Sequence, residues 1–186
     1  MNPVRYLRCF LALCLALAML LLLRPMTARA GTITVTNTLN DGAGSLRQAI
    51  ADAAPGDTII FDSSLSGQTI TLSSQLAIAK NLTIDGSALP VTITLSGNHA
   101  VRIFFIADNT HVTLNRLRLV AGAVDVYHSG GALYIGSGAA VTLTHSAVLS
   151  CTAGIGGGIS NENGALTVQN STFSGNSAND RGGAIG

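Results

Sequence analysis

The sequence predicts an all-β protein, a right-handed parallel β-helix (solenoid) with a short N-terminal capping helix. Three observations carry this. Gly-Gly followed by a small or apolar pair returns every 26 residues, at Gly130-Gly131-Ala132-Leu133, Gly156-Gly157-Gly158-Ile159 and Gly182-Gly183-Ala184-Ile185. An apolar-Thr-apolar-polar motif returns at spacings of 30, 29 and 25, at Leu82-Thr83-Ile84-Asp85, Val112-Thr113-Leu114-Asn115, Val141-Thr142-Leu143-Thr144 and Leu166-Thr167-Val168-Gln169. A further apolar residue lies five positions after the second apolar residue of that motif, at Leu119, Val148 and Phe173. Self-similarity at a fixed period of this size means stacked repeats. The composition agrees: 186 residues, 47% apolar, 10% charged, 21 Gly and no Trp, which is one folded domain built on tight turns and small side chains.

The first element, residues 1–30, reads as an export signal. Arg5 and Arg8 give a positive start, residues 9–23 form an apolar run of 15, and Ala28-Arg29-Ala30 has the small-x-small form of a cleavage site. A membrane span needs about 20 apolar residues to cross about 30 Å, so the run suits a signal core better than an uncleaved anchor. Leu13 is too bulky to precede a lipidated Cys14. The mature chain, from Gly31, keeps six basic and nine acidic residues, a net charge of −3. Mild acidity spread along the chain gives no footprint for nucleic acid. Cys151 is then the single mature cysteine, so no intrachain disulfide forms.

Residues 31–62 form a cap. Ser45 and Gln48 have capping-box spacing, and Leu46, Ala49, Ile50 and Ala53 fall on one helical face. Pro55-Gly56 ends the helix, and Thr58-Ile59-Ile60-Phe61 begins a strand. A short helix over the first coil would cover its apolar bottom and free strand edges.

Residues 63–186 form the coils. Short alternating apolar runs are punctuated by Gly, Asn and Ser, giving about three strands per unit. Stacking at about 4.8 Å would put Leu82 and Ile84, or Val112 and Leu114, into the interior, and Thr83 and Thr113 outside. The Gly-Gly column bends the backbone where a Cβ would clash. An antiparallel sandwich would show two- to five-residue hairpin turns and no unit-length period. The final coil ends one residue past a repeat, so further β-helix coils or another chain are expected at that edge.

Gly182-Gly183-Ala184-Ile185, its variant at 156–159, and Phe173-Ser174-Gly175-Asn176 resemble the paired Gly-Gly-Ala-Ile and Phe-x-x-Asn repeats of polymorphic outer-membrane proteins. Gly44-Ser45-Leu46-Arg47-Gln48-Ala49-Ile50, with Pro55-Gly56-Asp57-Thr58-Ile59, is similar to the CSLREA-type cap of large secreted β-helix proteins, with Gly44 in place of its Cys and Gln48 in place of its Glu. The resemblance implies a pectin-lyase-like solenoid at the cell surface or outside the cell, often within a longer protein. The repeat-built, weakly charged surface with outer Thr columns points to a structural or adhesive role, with glycans or surface proteins as partners and membrane contact only through the signal segment.

Catalysis on a β-helix needs groups that recur in adjacent coils. A glycoside hydrolase needs two carboxylates about 5 to 9.5 Å apart, and a calcium-assisted lyase several carboxylate oxygens plus a base. Asp85 shares its column with the neutral Asn115, Thr144 and Gln169 and reads as a turn cap before Gly86. Asp125 and His128 could pair, though in a solvated loop. His111 and His145 fall in different columns, Asp57 and Asp62 read as strand-end turn residues, and Lys80, Arg102, Arg116 and Arg118 are scattered, though the last two could share a face. Cys151 falls in the slot that Asn176 fills one coil later. Asn81-Leu82-Thr83 and Asn170-Ser171-Thr172 match the glycosylation pattern. No residue is assigned a catalytic, cofactor-binding or metal-binding role. The expectation is an exported, non-enzymatic β-helix module. The alternatives are a polysaccharide lyase or glycoside hydrolase on the same fold, and a fragment of a longer surface protein.

Overall fold

The computed structural model describes residues 30–186, so the export-signal reading of residues 1–29 lies outside the described residues. Among the described residues, fifteen strands wind through three walls in a repeating order and two more form a separate strip. The first wall holds β1 (Thr32–Val35), β2 (Thr58–Phe61), β5 (Leu82–Asp85), β8 (His111–Asn115), β11 (Ala140–Thr144) and β15 (Ala165–Gln169). The second holds β3 (Thr69–Thr71), β6 (Ile93–Ser96), β9 (Leu117–Val120), β12 (Ala147–Leu149) and β16 (Thr172–Ser174). The third holds β4 (Leu76–Ile78), β7 (Phe104–Ile106), β10 (Leu133–Ile135) and β14 (Ile159–Asn161). A two-stranded strip, β13 (Thr152–Ile155) with β17 (Ser177–Arg181), lies between the second and third walls in the last coils. Every strand pair is parallel and joins one coil to the next, giving a β-solenoid of about six turns.

The period read from the sequence is the coil. Thr83 pairs with Thr113, Thr113 with Thr142, and Thr142 with Thr167. The row extends backward through Thr58 to Thr32, so six threonines form one ladder on the outside of the first wall. Inside, Leu82, Ile84, Val112, Leu114, Val141 and Leu143 are buried, as alternation requires. Leu119, Val148 and Phe173 stack in the second wall.

Corners between walls are made by single residues with left-handed backbone. Arg116, His145 and Asn170 (φ 53°, 49° and 49°) turn the chain from the first wall to the second, and Ala121, Ser150 and Gly175 (φ 51°, 53° and 65°) turn it out of the second. The 26-residue glycine repeat is a third such column: Gly130, Gly156 and Gly182 have φ of 72°, 60° and 68°. Each is followed by a glycine, and at Gly131 and Gly157 the neighbouring backbone lies too close for a Cβ.

Side chains from one coil satisfy backbone amides of the coil before it. Ser146 Oγ accepts from Leu117 N–H at 3.1 Å and donates to Thr144 C=O at 2.7 Å, and Ser171 Oγ accepts from Ser146 N–H at 3.1 Å. At the next corner Asn176 Oδ1 accepts from Cys151 N–H at 3.0 Å, while its Nδ2 donates to Val148 C=O at 2.9 Å. Cys151 holds the equivalent position one coil earlier, where Sγ accepts from Gly122 N–H and donates to Leu149 C=O, both at 3.3 Å. These rungs pair buried polar groups that a turn would otherwise strand.

The helix α1 (Leu46–Asp52) stands where its spacing placed it, with Leu46, Ala49 and Ile50 buried. Ser45 accepts from Gln48 N–H at 3.1 Å, but the capping box is only half made. Gln48 turns along the helix to donate to Asp52 at 2.7 Å, because Ser45 N–H is already bonded to Gly42 C=O. Lys80 Nζ caps the far end through the carbonyls of Ala51 and Ala53, and Arg47 reaches the carbonyls of Ser74 and Gln75. Asp57, nearly buried, accepts from Gly31 and Ala54 N–H, and Asp62 accepts from Ser64 N–H to start a 3-10 turn. Within β15 to β17, Leu166 and Phe173 are half-buried and Val168 is exposed, since those inward positions have a coil on one side only among the described residues.

Candidate ligand groove

The outer face of the second wall carries two side-chain columns along the helix axis. One runs Thr69, Thr94, Arg118, Ala147, Thr172, and the other Thr71, Ser96, Val120, Leu149, Ser174. Their outward direction follows from the alternation that buries Ile70, Leu95, Leu119 and Val148 on the other face. At the turn out of this wall, His99 has left-handed backbone and its N–H is bonded to Ala121 C=O, and it joins the lining. The result is a groove of about 580 Å³ lined by Thr69, Thr94, Ser96, His99, Arg118, Val120, Ala121, Leu149, Ser150 and Ser174. Five strands at about 4.8 Å separation make the face about 19 Å long. Hydroxyls line its sides and Val120 and Leu149 supply an apolar floor. None of the nine acidic residues of the described chain lines it.

The basic residues judged scattered from sequence have separate duties. Arg102 is nearly buried between coils. It donates to the carbonyls of Gly130 (2.9 Å) and Ser129 (2.7 Å) and to Gln75 Oε1 (2.9 Å), and lies over the stacked rings of Phe105 and Tyr134. Burial lowers its affinity for a proton, and the charge interaction with Tyr134 opposes that. Arg116 donates to the carbonyls of Ser87 and Pro90. Arg116 and Arg118 do not share a face: the left-handed turn at Arg116 sends the chain into the next wall. Arg118 is the one basic side chain among the described residues with no hydrogen bond or ion pair to the protein.

Asp125 and His128 do meet, with Nδ1 and Oδ1 2.5 Å apart on an exposed loop beside fully exposed Tyr127. The bond from His128, then that from Tyr127 N–H, holds the Asp125 carboxyl below the usual range. They edge a second recess, of about 540 Å³, with Gln75 and Arg102. Asp85 accepts from Ser87 N–H and Oγ, the turn-cap reading, and also from Asn115 Nδ2, while Asn115 Oδ1 accepts from Thr144 Oγ1. His111 pairs across the wall with Ala140, whereas His145 sits at a corner beside Asn170. Asn81 is occupied in accepting from His111 N–H. Cys151 is fully buried, and burial pushes its thiol up to about 11. Sequence reasoning found the inner column of this wall, Leu119, Val148 and Phe173, but not the outer rows that line the groove.

Comparison of the chain with curated proteins found no match. The model of the Chlamydia polymorphic membrane protein repeat matches residues 170–186, the coil that contains Phe173, Asn176 and the last Gly-Gly-Ala-Ile. Together with the six-turn parallel solenoid, this makes the chain a β-helix that carries repeats like those of the Chlamydia polymorphic membrane proteins.

Proposed function

We propose that this chain is a surface-exposed, non-catalytic β-helix module that holds an extended ligand in the groove of its second wall. The observation that carries the reading is the groove itself. Two straight rows of side chains, about 19 Å long, present hydroxyls and a narrow apolar floor at the spacing fixed by the coils. Such a surface suits a polymer laid along the axis. The surface location is supported by the matched repeat, whose name refers to a membrane protein of Chlamydia. The export-signal reading supports the same location. The pectin-lyase-like and CSLREA-type resemblances read from the sequence are consistent with that location.

The module's partner is an extended glycan or a surface protein segment that lies along these rows. The test is to incubate the purified chain with a panel of plant and bacterial polysaccharides, measuring retention and sugar release together. Binding without release of unsaturated or reducing-end sugars, abolished when Leu149→Trp fills the groove floor, is the expected result. Sugar release at a rate dependent on Asp125 and His128 would replace this reading with a carbohydrate-active enzyme centred on the second recess.

A further inference from the structure

Resting on the groove reading above, we propose that the ligand is an anionic glycan, an extended chain bearing carboxylate or sulfate groups, and that Arg118 reads its charge. Arg118 stands on β9, the middle strand of the five in the second wall. Its neighbours in the column are the small Thr94 and Ala147, and Arg118 itself is exposed. The chain has an excess of acidic residues outside the export segment, yet this arginine has no partner, and no carboxylate lines the groove. Every other basic side chain of the described residues is bonded to a carbonyl or a carboxylate. A planar fork of donors with nothing to donate to matches a two-oxygen anion, which it binds through paired hydrogen bonds.

The rest of the groove favours a sugar chain as the bearer of that anion. Thr69, Ser96 and Ser174 can each donate and accept, as sugar hydroxyls require. Val120 and Leu149 offer an apolar strip to the C–H faces of the rings. A lone ion would leave most of this length empty.

The test uses matched ligands: a polyuronate, the same polymer with its carboxyls reduced to hydroxymethyl groups, a sulfated glycosaminoglycan, its desulfated form, and vesicles of anionic lipid. Dissociation constants are measured for the purified chain and for Arg118→Gln and Arg118→Lys. Arg118 bonds to nothing in the protein, so both variants keep the urea midpoint of the parent. At least one anionic polymer should bind about tenfold or more tighter than its neutral counterpart, and Arg118→Gln should remove that preference. Arg118→Lys should keep part of it, because the charge remains and the fork is lost. Equal binding of charged and neutral forms, or a preference that survives Arg118→Gln, overturns the charge assignment and leaves the groove reading intact. Arg118-dependent binding to vesicles with none to the glycans overturns the glycan assignment. Failure of all the glycans to bind removes this proposal and the glycan form of the groove reading together.

Discussion

Gly131→Ala tests whether the glycine columns are set by contact between coils. A Cβ on Gly131 would meet the carbonyl of Gly157 and, at 2.6 and 2.8 Å, the O and N of Thr152, all backbone atoms of the following coil. Real Cβ contacts essentially never fall below 3.0 Å, so the coils must part by about 0.4 Å to clear Thr152 O. Gly131 N–H is shared between the carbonyls of Gly156 (3.3 Å) and Gly157 (3.2 Å), and that separation carries both beyond hydrogen-bond range. Overpacking costs about 1–3 kcal/mol and the lost bond about 1 kcal/mol, so we expect a loss of about 2–4 kcal/mol. Gly56→Ala is the comparator. Gly56 has φ +93° but nothing within 4 Å of a Cβ, so only backbone strain applies, about 1–2 kcal/mol. Urea unfolding followed by circular dichroism measures both. With a slope of about 2 kcal/mol/M, Gly131→Ala should lower the midpoint by about 1–2 M. Amide exchange should accelerate mainly in the coils that flank residue 131, since a solenoid is stabilised coil by coil. Gly131→Ala tolerated as well as Gly56→Ala, or better, would refute the reasoning.

Three other outcomes follow from the interior. Ser146→Ala removes the acceptor for the buried Leu117 N–H and should cost about 1–3 kcal/mol in the same urea assay, with Ser146→Thr retaining more of the stability. Arg102→Met strands the carbonyls of Ser129 and Gly130 and should cost about 2–4 kcal/mol, and Arg102→Lys should recover only part of it because one ammonium cannot serve three acceptors in a plane. Cys151 should resist thiol reagents at pH 8 in the folded chain and react at once in urea, because burial holds the thiol near 11. In the folded chain that raised value favours the neutral form. Between the ordinary value of 9.0 and about 11 the folded chain keeps a proton that the unfolded chain loses. Stability therefore falls as pH rises through that window, and Cys151→Ser should flatten the fall in urea midpoints measured from pH 8 to 11.

The coil period was legible because like residues stack on like. The spacings of 30, 29 and 25 between Thr83, Thr113, Thr142 and Thr167 are the pairing register of the first wall. The place of Cys151 among the Asn slots was legible for the same reason: it follows Val148 as Asn176 follows Phe173, and both side chains serve the same corner. Two of the three corner columns gave no such sign. Arg116, His145, Ala121 and Ser150 adopt left-handed backbone without being glycine, and the surrounding strand pairing supplies the energy that this costs. A shared face for Arg116 and Arg118 therefore stayed open on the sequence, and the left-handed turn at Arg116 separates them. The groove was hidden for another reason. Its lining also takes in His99, which lies outside the columns read from the repeat. That Arg118 is unpaired while five other basic residues are bound is a fact of three-dimensional contact and leaves no mark on spacing.

The central claim is that successive coils lie directly over one another, since the groove, the rungs and the Thr ladder all depend on it. Distances between paired spin labels test this directly. Labels at Thr58 and Thr142, Thr32 and Thr142, and Thr32 and Thr167 lie on one outer row, three, four and five coils apart. The mean distances should rise in equal steps of about 4.8 Å, to about 24 Å for the last pair. Distances that fail to increase with coil number, as they would if neighbouring segments ran in opposite directions, would contradict the account.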